Sequence, residues 1–308
     1  MCRHLAWLGA ERTLADVVVD PRFGLMRQSW APRRQRHGRI NADGFGVGWY
    51  APAVRPEPAR YRRAVPMWTD ASFASFAGAV ASGCVLAAVR DATVGMPIEE
   101  SATAPFAHGS LLLSHNGRVD TGILTALLAG RPDAPTPDSR CDSALLAALV
   151  WERALAGAEL AEAVAEVVTT VGAKAATREA ARDADGQAPP TRLNVLVTDG
   201  HQIVGTTWNE TLWYRLGPTG VLVASEPDDD TVDVPDGAVD VPDGAGSSRG
   251  RETAMLQLPA SPGGAPFPSA VADAAVQPGP GPDVWVEVPN HRLLVADTRE
   301  VTLSNLTL

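Results

Sequence analysis

The sequence has 308 residues, of which 45% are hydrophobic, so it has enough apolar material for one large core or two ordinary ones and is not disordered throughout. Its formal net charge is −10 at pH 7, which argues against a nucleic acid or an anionic membrane as the partner, because both attract basic surfaces. We therefore expect a small-molecule partner, with no nucleic acid and no membrane.

The cysteines indicate a reducing compartment. Cys2, Cys84 and Cys141 form an odd set without metal-ligand spacing, and the N-terminus has no basic segment followed by an apolar stretch. A secreted disulfide framework is therefore not expected. The longest apolar run, residues 144–151, is far too short to span a bilayer. The sequence predicts a soluble, cytoplasmic protein.

The first predicted elements are short. Residues 2–8 are predicted as a strand that Gly9 ends, after which Thr13 caps a brief helix over residues 14–19. A basic loop follows over residues 28–39, and its arginines are Arg33, Arg34, Arg36 and Arg39. Two interpretations of this loop remain open: a solvated surface segment, or a mobile lid that attracts substrate carboxylates.

A glycine-spaced segment over residues 41–50 comes next. No helix-like sequence follows it, so its glycines do not form a dinucleotide-binding fingerprint. They predict a strand whose backbone is approached closely on one side. A strand over residues 60–65 and a helix over residues 70–81 then lead to an apolar strand that ends at Arg90.

The middle of the chain predicts one further strand and a layer of packing helices. The strand, residues 110–115, ends at a polar Asn116-Gly117 turn, which a short helix follows. Asp142 opens a longer helix, and a cleaner amphipathic helix begins at residue 160. Short β-rich runs over residues 192–225 then indicate a meander against the first sheet.

A compositionally distinct segment extends over about residues 229–283. It contains a seven-residue tandem copy, residues 232–238 and 239–245, followed by sequence rich in Gly, Ser and Pro. Its few apolar residues cannot offset the entropy of ordering, so we expect a disordered surface insertion in a single domain over residues 1–308. The copies lack the oxygen-ligand spacing of a calcium loop. Three strands after the insertion are expected to complete the sheet.

Four polar features at the ends of predicted strands suit a γ-glutamyl substrate. Arg90 can bind its α-carboxylate in a bidentate manner, and Asp142 can pair with its α-ammonium. The Asn116 amide and the Gly117 N–H are suitable donors to an oxyanion at the γ-carbonyl. Each has an ordinary alternative as an ion-pair partner, a turn or a helix N-cap. Their occurrence together with Cys2 is more specific than any one of them.

Cys2 is of interest because of its place in the chain. Removal of Met1 exposes an α-amino group on the residue that carries the thiol, and initiator Met is usually removed before a small residue. The amine titrates near about 8 and the thiol near about 8.5, so the amine can serve as the base for the thiol without a histidine. On position alone, a small buried residue is the simpler interpretation of Cys2.

A resemblance to a known family rests on five stretches. They are Met-Cys-Arg-His-Leu at residues 1–5, Asn-Ala-Asp-Gly-Phe-Gly-Val-Gly-Trp at residues 41–49, Arg90-Asp91-Ala92-Thr93, Ser114-His115-Asn116-Gly117 and Cys141-Asp142-Ser143. Together they resemble the class II glutamine amidotransferases, whose nucleophile is an N-terminal cysteine. More narrowly, the chain resembles the stand-alone γ-glutamyl hydrolases of ergothioneine biosynthesis. The resemblance covers about residues 1–228 and 284–306.

This resemblance implies an α+β fold of the Ntn-hydrolase type, an αββα sandwich of two antiparallel sheets between helical layers, with no cofactor and no metal. It implies an amidohydrolase that works through a γ-glutamyl thioester, without an obligatory protein partner, as a monomer or a homo-oligomer. The matching positions are Cys2, Asn116 and Gly117 for catalysis, and Arg90, Thr93 and Asp142 for substrate binding. Family members often carry an aromatic residue where this chain has Asp91.

Two other functions remain open at the level of sequence. A glutaminase subunit would supply ammonia to a separate synthetase, and a catalytically idle domain would hold glutamyl ligands, which a retained Met1 would favour. If the leaving group carries a trimethylammonium, an aromatic wall suits it. The candidates for that wall are Trp30, Trp49, Tyr50 and Trp68, although core packing is the simpler role for each.

Overall fold

The computed structural model describes residues 2–182, 190–232 and 283–307. Its helices are α1 (Leu25–Gln28), α2 (Ala71–Ala77), α3 (Thr121–Ala129), α4 (Asp142–Leu155) and α5 (Leu160–Arg182). Its strands are β1 (Arg3–Thr13), β2 (Phe45–Trp49), β3 (Ala59–Arg63), β4 (Ala81–Val89), β5 (Phe106–His108), β6 (Leu111–Arg118), β7 (Arg192–Thr198), β8 (Ile203–Thr207), β9 (Trp213–Gly217), β10 (Gly220–Ala224), β11 (Trp285–Glu287), β12 (Arg292–Ala296) and β13 (Val301–Asn305).

Two antiparallel sheets lie at the centre of the fold. The first has the strand order β11-β9-β10-β1-β4-β2-β3, and the second has the order β13-β12-β8-β7-β6-β5. Every neighbouring pair in both sheets is antiparallel. The expected α+β architecture with two stacked antiparallel sheets is confirmed.

Three apolar clusters show how the layers stack. Ala6 and Leu112 belong to the cluster between the sheets. Phe73 of α2 packs on the outer face of the first sheet, and Leu146 of α4 packs with α5 on the outer face of the second. Full burial of one such Leu or Phe side chain contributes roughly 1.5–3 kcal/mol. The layers therefore follow the order helix, sheet, sheet, helix.

Strand β1 is longer than the sequence predicts. It continues through Gly9 to Thr13, with a shift in its register against β4 between Leu8 and Arg12. Gly9 is needed here for close approach to the neighbouring strand, because a Cβ on it would lie 2.2 Å from the carbonyl oxygen of Thr219. The prediction that Gly9 ends the strand was therefore wrong. Thr13 does cap the helical turn that follows, since its hydroxyl accepts a hydrogen bond from the N–H of Asp16 at 3.0 Å.

Asn116 and Gly117 lie inside a strand and not in the turn that the Asn-Gly pair predicts. Both belong to β6, where Asn116 pairs with Asn194 and Gly117 pairs with Leu193 of β7. The distant strand β7 supplies a hydrogen-bonding partner, and this tertiary pairing overrides the local turn preference.

The strands after residue 190 are divided between the sheets. Of the predicted meander, β7 and β8 join the second sheet, while β9 and β10 join the first. The last three strands are divided as well, because β11 joins the first sheet and β12 and β13 join the second. The prediction that each group joins a single sheet was therefore wrong, since hydrophobic alternation alone does not identify a strand's partner.

Most of the predicted insertion, residues 233–282, lies outside the described residues, so its predicted disorder stays a prediction. The first residues of that segment are bound to the body of the protein. Asp229 accepts hydrogen bonds from Arg215 and from the indole N–H of Trp285, the latter at 3.1 Å. The carboxylate of Asp230 pairs with Arg22. Ordered structure therefore extends past residue 229, because these carboxylates have cationic and N–H partners.

Candidate active site

Cys2 lies directly before β1, at one end of the interior between the two sheets. Its side chain is half-buried and lines a small pocket together with residues from both sheets and from α4. The polar residues of this pocket besides Cys2 are Arg90, Thr103, Ser114, His115 and Ser143. Apolar side chains form the rest of the wall, namely Ala88, Val89, Ala102, Ala104 and Phe106. The fold therefore brings the thiol to a narrow, polar-lined pocket.

The surroundings of Cys2 act on its thiol in opposite directions. Burial raises the pKa of the thiol, and the negative charge of Asp142 adds to this effect. The Arg90 guanidinium and a hydrogen bond from the backbone of Asp91 lower it. Because burial is the largest of these effects, the thiol is protonated at neutral pH, and a base is needed to produce the thiolate.

Arg90 follows β4 and contributes its guanidinium to the Cys2 pocket. It is buried, with an exposure of 7%. Its Nη1 donates to the carbonyl oxygen of Pro97 at 2.8 Å. Its backbone is fixed by hydrogen bonds with Gly44 and Asp43. No ion pair among the described residues involves Arg90, so the guanidinium has donors available for an anionic ligand.

Asn116 is fully buried next to this pocket, although it is not one of the lining residues. Its Nδ2 donates to the Ser225 hydroxyl at 3.3 Å, whereas its Oδ1 has no hydrogen-bond partner among the described residues. Gly117 adjoins it, and a Cβ there would lie 2.2 Å from the carbonyl oxygen of Arg192 and 2.3 Å from Nε2 of His115. Gly117 therefore allows close approach of β6 to β7 and to the His115 ring.

Asp142 is the first residue of α4 and is 6% exposed. Its Oδ2 accepts a hydrogen bond from the N–H of Val119 at 3.0 Å, and its Oδ1 accepts one from the N–H of Ser143 at 2.8 Å. These bonds fix the carboxylate between β6 and α4, close enough to influence the Cys2 thiol. Cys141 occupies the N-cap position, so the ordinary N-cap interpretation of Asp142 was wrong by one residue.

Thr93 is not placed in the Cys2 pocket. It lines a second pocket with Arg118, Asp120 and Arg178, of which Asp120 and Arg178 form an ion pair at 3.3 Å. The loop after Arg90 therefore reaches from one pocket to the next. Of the six predicted site residues, Cys2 and Arg90 share a pocket, Asn116, Gly117 and Asp142 adjoin it, and Thr93 lies at its neighbour.

Several polar residues of the site were missed at the sequence level. His4 is fully buried with its Nδ1 3.2 Å from the Ser114 hydroxyl, and burial, with the charges of His115 and Arg3, lowers the pKa of His4 from 6.5 to about 3. Nε2 of His115 donates to the carbonyl oxygen of Arg192 at 3.0 Å, so Nδ1 of the neutral ring accepts from Ser143. The available signal was the presence of consecutive polar residues in otherwise apolar runs, Arg3-His4 in β1 and Ser114-His115-Asn116 in β6.

The arginine loop is bound to the body of the protein at Arg33 and Arg34. Glu226 is fully buried, and its carboxylate accepts the backbone N–H groups of Arg33 and Arg34 at 2.9 and 2.8 Å. The Arg33 guanidinium lies 3.6 Å from the ring centroid of Phe23, and that of Arg34 lies 4.8 Å from a ring of Trp213. Arg33 and Arg34 thus stack on aromatic rings, whereas Arg36 and Arg39 are exposed, as the solvated-segment interpretation predicts.

The four candidate aromatic residues separate into two groups. Trp49 pairs with Val85 at the end of the first sheet remote from Cys2, and the Tyr50 hydroxyl lies 2.9 Å from the Thr198 carbonyl oxygen. These two were therefore wrong as candidates for a wall beside Cys2. Trp30 and Trp68 pack edge to face with ring centroids 5.9 Å apart, and they are 36% and 43% exposed.

Two properties of the described ranges, residues 2–182, 190–232 and 283–307, concern metals and membranes. These ranges contain no group of three or more His, Cys, Asp or Glu side chains that could hold a metal ion. None of the helices in those ranges combines the length and the apolar character that crossing a membrane requires.

Comparison with solved structures shows the fold. A glutamine aminotransferase class-II domain protein from Silicibacter pomeroyi superposes with a TM-score of 0.54 at 20% identity, and the match covers 100% of both chains. A glutamine phosphoribosylpyrophosphate amidotransferase from B. subtilis gives a TM-score of 0.58 at 11% identity over 100% of this chain and 50% of the other. Both likenesses place the chain in the Ntn-type fold of the class II glutamine amidotransferases.

Comparison with curated proteins shows the family, although no protein-family model matches the chain. A γ-glutamyl-hercynylcysteine sulfoxide hydrolase from Mycolicibacterium smegmatis is 47% identical over 239 residues, which cover 77% of this chain and 93% of that protein. A protein of the same name from Mycobacterium tuberculosis is 47% identical, with 90% of its length covered. This chain is an amidohydrolase and belongs to the γ-glutamyl-hercynylcysteine sulfoxide hydrolase family.

Proposed function

We propose that this protein cleaves the γ-glutamyl amide of γ-glutamyl-hercynylcysteine S-oxide and releases glutamate and hercynylcysteine S-oxide in ergothioneine biosynthesis. The observation that carries the proposal is that a half-buried Cys2 thiol shares its pocket with the Arg90 guanidinium in a chain 47% identical to hydrolases of that name. The chain acts as a single domain, in the cytoplasm, and needs no separate synthetase.

Recognition of the glutamyl group falls to the charged residues around the pocket. The Arg90 guanidinium binds the α-carboxylate, because it carries donors in a planar fork and has no carboxylate partner in the described part of the chain. Asp142, which two backbone N–H groups hold in place, binds the α-ammonium. Thr93, at the neighbouring pocket, contacts the glutamyl group only if the loop between Arg90 and Thr93 moves.

The first chemical step forms a thioester. The free α-amine of Cys2 takes the thiol proton, and Sγ attacks the γ-carbonyl carbon. The carbonyl oxygen becomes an oxyanion, to which Asn116 Nδ2 and the Gly117 N–H donate hydrogen bonds. The C–N bond then breaks, and the Cys2 ammonium protonates the departing amine, so hercynylcysteine S-oxide leaves and the γ-glutamyl group stays on sulfur.

The second step reverses the roles of the same groups. The Cys2 amine takes a proton from water, and the resulting hydroxide attacks the thioester carbon. The C–S bond breaks, the thiolate recovers its proton from the amine, and glutamate is released. Because an amide nitrogen is not a base, both steps require that Met1 has been removed, and intact mass of the purified protein reports this.

Released glutamate and released ammonia distinguish the proposed function from its alternatives. Purified wild type is incubated separately with γ-glutamyl-hercynylcysteine S-oxide and with glutamine. We expect glutamate from the sulfoxide substrate at a far higher rate than ammonia from glutamine. Cys2→Ala is expected to lower the rate by about 10,000-fold or more, as loss of a catalytic nucleophile does elsewhere.

Cys84→Ala is the matched control for this experiment. Cys84 is 3% exposed, and burial raises the pKa of its thiol to about 12, so its removal should leave the rate unchanged. Preferential ammonia release from glutamine would replace the proposal by a glutaminase. Ligand binding without turnover, in protein that has lost Met1, would replace it by an idle binding domain.

A further inference from the structure

Ser225 occupies a junction between the two sheets, directly after β10. It is fully buried, and its hydroxyl oxygen contacts one residue from each sheet. The backbone N–H of His4 in β1 donates to Ser225 Oγ at 3.0 Å. Nδ2 of Asn116 in β6 donates to the same oxygen at 3.3 Å. One hydroxyl therefore joins the strand that follows Cys2 to the residue proposed for the oxyanion hole.

Hydrogen bonds hold the backbone of Ser225 on both sides, in addition to the two that its hydroxyl oxygen accepts. Its N–H donates to the carbonyl oxygen of His4 at 2.9 Å, which extends the ladder between β1 and β10. Its carbonyl oxygen accepts a hydrogen bond from the Thr211 hydroxyl at 2.8 Å. An oxygen held this firmly can orient a partner, because a hydrogen bond weakens steeply when its angle departs from linear.

The amide of Asn116 depends on this oxygen for its orientation. An amide NH2 carries two hydrogens in one plane, and the Ser225 oxygen accepts one of them, which directs the other. Because Oδ1 has no partner among the described residues, no second hydrogen bond within them fixes the amide plane. If the amide turned by half a rotation about its Cβ–Cγ bond, its carbonyl oxygen would face the oxyanion. The two negatively charged oxygens would then repel each other.

We propose that Ser225 is a positioning residue that keeps the NH2 group of Asn116 directed at the oxyanion, an inference that rests on the hydrolase function proposed above. Through its bond to the His4 N–H, it also fixes the oxyanion donor relative to the strand that carries the nucleophile. Ser225 does not touch the substrate, so its effect reaches the reaction through Asn116 alone.

A double-mutant cycle on the full-length, Met1-processed protein tests this inference. Ser225→Ala is expected to lower kcat by about 10- to 100-fold, somewhat less than the about 100- to 1000-fold expected when an oxyanion donor itself is lost, with KM changed less than about threefold because ground-state binding is not affected. In the Asn116→Ala background, Ser225→Ala should change kcat by less than about twofold, because its target is already absent. A purely structural serine would lower the rate by the same factor in both backgrounds.

Ser82→Ala is the matched control for loss of a buried hydroxyl. Ser82 is 1% exposed and its Oγ accepts the N–H of Cys84 at 3.1 Å, remote from Cys2, so kcat of the folded protein should be unchanged. If Ser225→Ala does not fold, Ser225→Cys replaces it: the thiol is a weak acceptor of similar shape, and the same non-additive loss in kcat is expected.

The outcomes separate this inference from the function on which it rests. If Asn116→Ala retains the wild-type rate, the proposed oxyanion hole is wrong whatever Ser225 does. If Asn116→Ala is slow while Ser225→Ala is as fast as wild type, or if the two losses multiply in the double variant, the positioning role of Ser225 is wrong and the hydrolase proposal stands.

Discussion

The interior between the two sheets has an apolar end and a polar end, and the same strands supply both. In β1, Ala6 and Leu8 belong to the apolar end, whereas His4 belongs to the polar end. In β6, Leu112 is apolar, whereas Asn116 faces Ser225. In each strand, the apolar and the polar side chains are separated by even numbers of residues, so they lie on the same face of the sheet. A single sandwich can thus hold an apolar core at one end and the polar candidate site at the other.

The two ends differ in how well their atoms are satisfied. The apolar end is close-packed, as protein interiors are. At the polar end, Nε2 of His4 and Oδ1 of Asn116 have no hydrogen-bond partner among the described residues. A buried polar atom left without a partner costs about 1–3 kcal/mol. The polar end therefore keeps buried hydrogen-bonding groups that a bound ligand could satisfy.

Asn116→Ala should have the largest effect on turnover, which tests whether the polar end is catalytic. Loss of one oxyanion donor lowers kcat by about 100- to 1000-fold, and steady-state kinetics with the sulfoxide substrate measure it. Asn194→Ala is the control, because Asn194 lies opposite Asn116 in the ladder but donates to the backbone of Glu210 and Thr211. It should lower stability with a far smaller effect on kcat. Equal losses of kcat would contradict the assignment.

Leu112→Ala should affect stability and leave turnover unchanged, which tests the apolar end. Leu112 is fully buried between the sheets, so the substitution leaves a cavity and lowers the free energy of unfolding by about 2–5 kcal/mol. Denaturant unfolding followed by fluorescence measures that loss. If kcat of the folded variant falls by more than about threefold, the two ends are not separate in function.

His4→Asn should change how stability depends on pH. Burial lowers the pKa of His4 to about 3, so between pH 6.5 and about 3 the unfolded chain binds a proton that the folded protein does not, and stability falls as the pH falls. Asn can keep the contact with Ser114 but cannot titrate. The slope of unfolding free energy against pH in this window should decrease by up to about 1.4 kcal/mol per pH unit.

The acid sensitivity that remains in His4→Asn serves as the control for this prediction. His115 also has a pKa that burial lowers, so some acid sensitivity should remain in His4→Asn. An unchanged slope, measured by denaturant unfolding at several pH values, would mean that the polar end is open to protons in the folded state.

Trp30→Ala should have the smallest effect and extends the comparison to the outside of the polar end. The Trp30–Trp68 pair is exposed, and a cation already lies over it, since the Arg27 guanidinium is 5.7 Å from a ring of Trp30. If the pair holds a trimethylammonium, KM for the sulfoxide substrate rises about 2- to 30-fold, while KM for a γ-glutamyl anilide stays the same. Trp49→Phe, at the remote end, should change neither. Equal effects of Trp30→Ala on both substrates would exclude the aromatic wall.

Local patterns predicted most of the strands and helices, whereas their arrangement as two stacked sheets was expected from the resemblance to the class II glutamine amidotransferases. Hydrophobic alternation and helical periodicity identify the strands and helices, and the apolar faces of α4 and α5 require sheets to cover. The pairing partner of each strand could not be predicted, as the division of β7 to β10 between two sheets illustrates. Pairing is decided by contacts between residues far apart in the chain, and no local pattern encodes them.

The site was predictable in part for a similar reason. Cys2, Arg90 and Asp142 stood out because each charged or nucleophilic side chain has a chemical role that its residue type suggests. No role was predicted for Ser225 or His4, because a serine or a histidine has no distinctive role until its neighbours are known. The hydrogen bond between them joins residues that are more than 200 positions apart in the chain.

Gly117 has a consequence for anyone who would redesign this enzyme to accept a different acyl group. The atoms that a side chain would meet there are the carbonyl of Arg192 and the ring of His115, and the first is backbone, which cannot be repacked. Position 117 is therefore closed to engineering, even by alanine. The pocket wall also contains Ala102 and Ala104, which already carry a Cβ, so a library for altered acyl specificity should begin with the wall and leave Gly117 as it is.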